Sequence, residues 1–92
     1  MFKTTTVSPA GSARELPTEA MTDIQTEINR LKLLGKTNGI LTFGTPMTDT
    51  TFTGIRQWVD KLSAEEWIVF LHSIHKKYNF DPLIETSIDF IT

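Results

Sequence analysis

A chain of 92 residues with a formal net charge of -2 and no cysteine has room for one compact domain with a modest core, and it excludes a disulfide framework, a thiolate zinc site and a thiol nucleophile. The mildly acidic balance argues against whole-molecule attraction to nucleic acid or to an anionic membrane surface. The start, Met1-Phe2-Lys3-Thr4-Thr5-Thr6, lacks the apolar run of a signal peptide and no stretch approaches the length of a bilayer span, so a cytoplasmic protein is expected.

From Phe2 to Leu16 the residues are mainly Thr, Ser, Ala, Gly and Pro. So little apolar surface predicts a flexible arm over residues 1–16, leaving residues 17–92 as a single helical domain. Pro17 suits the first turn of a helix, and Met21, Ile24, Ile28 and Leu31 then recur at spacings of three and four, which predicts an amphipathic helix over 18–34. Acidic Glu19, Asp23 and Glu27 precede basic Arg30 and Lys32, matching the helix dipole, and Gly35 is placed to close the helix.

Thr37-Asn38-Gly39 is a turn signal, Ile40-Leu41-Thr42-Phe43 a short apolar run and Gly44-Thr45-Pro46 a further break. The run at 40–43 reads either as a short strand or as an extended loop pressed on the core, with the loop favoured because a lone strand leaves its edges unpaired. Gly35, Gly39 and Gly44 fit neither a Walker spacing nor a dinucleotide fingerprint. Beyond them, Phe52, Ile55, Trp58, Val59 and Leu62 line up as the apolar side of a helix, with Arg56, Gln57, Asp60 and Lys61 on its wet side and Asp49, Thr50 or Thr51 as its cap.

The clearest element is Ser63 to Asn79. Ser63 and Glu66 have the spacing of a capping box, and Leu62 and Trp67 that of a hydrophobic staple. His75, Lys76 and Lys77 place positive charge at the negative end of the helix, and Asn79 is suited to a left-handed cap. Trp67, Phe70, Leu71, Ile74 and Tyr78 share one arc, while Val69 lies alone among polar neighbours. With the preceding helix joined almost without a linker, the pair resembles a helix-turn-helix corner. After it, Asp81 and Pro82 open either a last short helix or, from Ser87 onward, a strand. The apolar ending Ile88-Asp89-Phe90-Ile91 calls for burial.

The fold expected from these signals is mainly α, three to four helices with a mobile N-terminal arm. No nucleophile elbow, metalloprotease signature or free carboxylate pair points to catalysis, so an enzyme is not expected. His72 and His75 stand three apart, but no third ligand is signposted, and neither a metal nor another cofactor is expected. Nucleic-acid binding is the alternative reading, through Arg30, Lys32 and Lys36 at the end of the first helix and His72, His75, Lys76 and Lys77 on the last. A pocket for a small ligand or nucleotide between the helices is a third.

Protein interaction is the leading expectation, because a small core has to cover an excess of aromatic residues and an apolar tail. The anchors are Trp58, Trp67, Val69, Phe80, Phe90 and Ile91, and the partner is another protein or a second copy in a homo-oligomer. Adaptors, self-assembling subunits and inhibitors of larger enzymes, viral inhibitors of host proteins among them, act by the occlusion or bridging this pattern suits.

Overall fold

The computed structural model describes residues 1–9, 17–37, 41–44 and 51–91, with the backbone alone at 41–44 and 51–52. In chain order the elements are β1 (Phe2–Pro9), α1 (Thr18–Leu33), β2 (Leu41–Gly44), β3 (Thr51–Trp58), α2 (Lys61–Lys77) and β4 (Glu85–Phe90). The four strands form one antiparallel sheet in the order β2-β3-β1-β4. Each helix therefore joins two strands that run parallel with a third between them, the ferredoxin-like arrangement of two interleaved βαβ units.

This architecture corrects the mainly α expectation at four places. Residues 2–9 are no arm but one of the two inner strands, paired with β3 on one side and β4 on the other. The Thr4-Thr5-Thr6-Val7 run is β-branched, and its stiffness suits a pleated strand as well as its polarity suits a loose terminus. The stretch from Phe52 to Trp58 is β3 rather than a helix, which also removes the helix-turn-helix corner: a strand leads into α2. The run expected as a loop near 40–43 is strand β2 at Leu41–Gly44, pairing Leu41 with Arg56 and Gly44 with Thr53. The tail after Pro82 takes the strand alternative, as β4. The turn at Asn38 and Gly39 and the break at Thr45 and Pro46 lie outside the described residues.

Register explains the core. Phe2, Thr4 and Thr6 face Trp58, Arg56 and Gly54 across one ladder and Phe90, Ile88 and Thr86 across the other, so by the two-residue period these positions share the face that carries the helices. On that face Trp58 is fully buried and Thr4 nearly so. The Trp58 indole N–H donates to Thr4 Oγ1 at 3.0 Å, and that hydroxyl donates in turn to the Arg56 carbonyl. Trp58 packs on Trp67 with ring centroids 5.3 Å apart, and Trp67 on Phe70 at 5.5 Å. Ile28 and Leu31 of α1 and Ala64 and Leu71 of α2 complete this cluster.

Both helices start and stop where local chemistry directs. At the end of α1, Gly35 is left-handed (φ 72°); its N–H donates to Lys32 O and that of Lys36 to Leu31 O, each at 3.0 Å. At the end of α2, Asn79 (φ 54°) does the same, with Asn79 N–H to Lys76 O and Phe80 N–H to His75 O. These are two Schellman closures, one by glycine and one by the non-glycine type that best tolerates the geometry. The start of α2 differs from the expected capping box: Asp60 is the cap, its carboxylate accepting from the Ser63 N–H at 2.7 Å. Ser63 instead lies inside the first turn, its hydroxyl buried without a hydrogen-bond partner among the described residues.

Candidate interaction surface

The helices run antiparallel, because the start of α1 meets the end of α2. Asp23 Oδ2 accepts from Tyr78 Oη at 2.6 Å and from Lys77 Nζ at 3.0 Å. At the opposite end, the Val59 N–H donates to the Lys36 carbonyl at 3.0 Å. That bond ties the turn leaving α1 to the turn entering α2. From these adjoining turns emerge Leu33, Leu34, Val59 and Leu62, all exposed, Leu33 at 89 % and Leu62 at 62 %. Leu62 and Val69, seven residues apart, also share one stripe of α2, and Val69 is exposed.

Charge is divided across this end. Arg30, Lys32 and Lys36 belong to the close of α1, whereas Asp60, Glu65 and Glu66 belong to the opening of α2, with Lys61 among them. Arg30 forms an ion pair with Glu27 on its own helix, and its guanidinium is held above its ordinary pKa by that hydrogen bond first, then by the nearby charges of Glu27 and Glu66. The Asp60 carboxyl is held below the usual carboxylate range, chiefly by the Ser63 backbone N–H it accepts.

The expected anchors divide between core and surface. Trp58 and Trp67 are core residues, because the strand period turns Trp58 inward and the arc of α2 turns Trp67 onto it; neither is available to a partner. Val69 is exposed, and Phe90 is 67 % exposed although its ring packs edge-to-face with that of Phe2, the centroids 5.3 Å apart. Phe80 is half-buried against His75, and Ile91 is half-buried with its N–H donating to Met1 O. No protein-family model, curated protein or solved structure matches the chain.

The basic residues of the alternative reading do not form one surface. Arg30, Lys32 and Lys36 lie at one end of the helix layer and His72, His75, Lys76 and Lys77 toward the other. Lys77 is paired with Asp23. His75 is buried, its Nδ1 donating to the Asp81 carbonyl at 2.6 Å. On the open face of the sheet the period places Lys3, Thr5, Val7, Ile55, Gln57, Ser87 and Asp89, and among these described residues there is no aromatic platform of the kind on which sheet-binding RNA modules stack bases. Among the described residues no group of three or more His, Cys, Asp or Glu could hold a metal ion, and no helix is long and apolar enough to cross a membrane.

Leu33, Leu34 and Leu62 were not among the residues expected to bind. Leu33 was legible as the leucine off the Met21-Ile24-Ile28-Leu31 stripe. Leu62 was obscured because it completed a false helical stripe with Trp58 and Ile55.

The Asp23 clamp gives a pH dependence. Hydrogen bonds from Tyr78 and then Lys77 hold the Asp23 carboxyl below its usual range, and the cap bond does the same for Asp60. A carboxyl whose folded pKa lies below its unfolded value of about 3.9 contributes stability above that value and loses it as pH falls through the folded one. Stability is therefore expected to fall on acidification below about pH 4, and Asp23→Asn to lessen the slope. Urea melts across that range check this; an unchanged slope in the variant rules the clamp out as its source. Asp60 is exposed and Asp23 half-buried at the surface, so the effect shrinks with added salt.

Proposed function

We propose that the protein is a self-assembling interaction module of the cytoplasm, pairing with a second copy of itself through the end where α1 closes and α2 opens. The observation that carries this reading is the emergence of Leu33, Leu34, Val59 and Leu62, all exposed, at two turns joined by the Val59–Lys36 hydrogen bond. Contiguous exposed apolar surface of this kind marks contact sites more often than scattered single residues do. A second copy is favoured over an unrelated partner by the divided charge. In a two-fold arrangement, the same patch meets itself reversed. The basic close of α1 then faces the acidic opening of α2 in the other copy, and the leucines meet in the middle. Charge complementarity of this kind fixes register and speeds encounter more than it tightens binding.

Sedimentation velocity over a concentration series tests the reading. The wild-type chain is expected to move from monomer to dimer with rising concentration. Leu33→Arg and Leu62→Arg are each expected to weaken the dimer by about tenfold or more, as truncation of a central apolar anchor does, while leaving the thermal melt unchanged at dilutions where the monomer prevails, because both positions are exposed and only the dimer's own contribution to stability is lost. A wild-type chain that stays monomeric throughout, or variants that dimerise as well as it does, would overturn the proposal.

A further inference from the structure

We propose that the space between the sheet and the helix layer is a binding site for a small carboxylate with an aromatic or branched apolar body, of about the size of benzoate, held by Arg56. The site is a cavity of about 190 Å³. Its floor is the helix-facing side of β1 and β3, at Thr6, Gly54 and Arg56, and its sides include Ile24 and Ile28 of α1 and Leu71 of α2. Gly54 brings no side chain to this floor, which keeps the space open between Thr6 and Arg56.

Arg56 is the reason to expect a ligand. It is only 6 % exposed, and among the described residues its guanidinium has no carboxylate partner and donates no hydrogen bond. It lies over the face of Trp67, the guanidinium carbon 5.1 Å from the ring centroid. An aromatic face offsets part of the loss of water but supplies no acceptor for the five N–H donors. Burial pushes the Arg56 pKa down, yet a guanidinium remains charged at neutral pH. None of the Arg56 nitrogens is wholly sealed from solvent, so the charge keeps some hydration through the cavity, and a ligand entering there would meet donors that no acceptor among the described residues holds.

Shape and chemistry then define the ligand. A planar fork of donors matches a carboxylate through two parallel hydrogen bonds. The surrounding Ile24, Ile28 and Leu71 favour an apolar body rather than a bare inorganic anion. An apolar cavity of about 150 Å³ accepts a benzene ring, so this one accommodates the ring and its carboxylate but not a nucleotide. The inference is independent of the dimer, whose patch lies on the outer end of the helices.

Thermal melts and intrinsic tryptophan fluorescence with benzoate, phenylacetate and isovalerate test the site, since Trp67 touches the group that would bind. Binding to the native state raises the melting temperature with ligand concentration. At least one of these carboxylates is expected to do so and to change the emission saturably. Benzamide, of the same shape without the charge, and inorganic phosphate, the charge without the body, are expected to bind about tenfold or more weakly. Arg56→Gln is expected to abolish the preference for benzoate over benzamide. Should that variant fail to fold, the comparison of the two ligands on the wild-type chain decides alone. No saturable effect from any of the three carboxylates, or benzamide binding as tightly as benzoate, would overturn the proposal.

Discussion

Deleting residues 1–9 is expected to abolish cooperative folding altogether. Among the described residues β1 alone is bonded to both β3 and β4, so its loss removes two ladders and strips β4 of the strand it pairs with. It also removes Thr4, the acceptor of the Trp58 indole, and Phe2, which packs against the core. A single domain holds only about 5–15 kcal/mol of net stability, and two ladders with their packing exceed that margin. Circular dichroism with urea titration checks the prediction: a truncated chain that still melts in one sharp transition would mean that β1 is dispensable. A milder version places proline at Thr5, in mid-strand, where the missing N–H and the fixed φ break the ladder without shortening the chain.

Trp58→Ala is expected to cost about 3–5 kcal/mol, the range for removing a large buried aromatic side chain. Trp58 is 0 % exposed and joins the sheet to α2 through Trp67. For a domain of this size such a loss lowers the melting temperature by roughly 15–30 °C. Trp58→Phe keeps most of the volume and loses chiefly the bond to Thr4, so about 1–2 kcal/mol is expected. Phe90→Ala provides the contrast, an aromatic of the exposed sheet edge whose loss is expected to cost under about 1 kcal/mol. Urea melts of the three variants check the order; equal costs for Trp58→Ala and Phe90→Ala would show that Trp58 does not anchor the core.

The helices were legible in the sequence because their signals are local. The Met21-Ile24-Ile28-Leu31 stripe, Gly35 and Asn79 lie within a few turns of what they organise, and α1 and α2 end where those residues direct. Strand β1 was not legible because its partner in β3 lies more than 40 residues away, and nothing in Thr4-Thr5-Thr6 announces Arg56 and Gly54 as its neighbours. In Phe52 to Leu62 both periods fit. Spacings of three and four suggested a helix, while the alternation that sets Gly54, Arg56 and Trp58 on one face was equally present, and pairing with β1 decided the outcome.

That confusion also hid the cavity. Read as helical, Arg56 belonged to a wet side beside Gln57 and Asp60; in a strand it turns inward with Trp58. Of the interaction surface, Val69 stood out in sequence as an apolar residue among polar ones, and Phe90 as part of an apolar tail. The patch at Leu33 and Leu62 depends on two turns that only the antiparallel packing of the helices brings side by side.

The inner position of β1 has a consequence for biosynthesis. The strand made first acquires its last neighbour only when residues 85–90 have left the ribosome, and at about 5–20 residues per second the interval is several seconds. Throughout it a β-branched, uncharged segment from Thr4 to Val7 travels with at least one edge open, so yield in the cell is expected to respond to holding chaperones and growth temperature more than the stability of the finished protein would suggest.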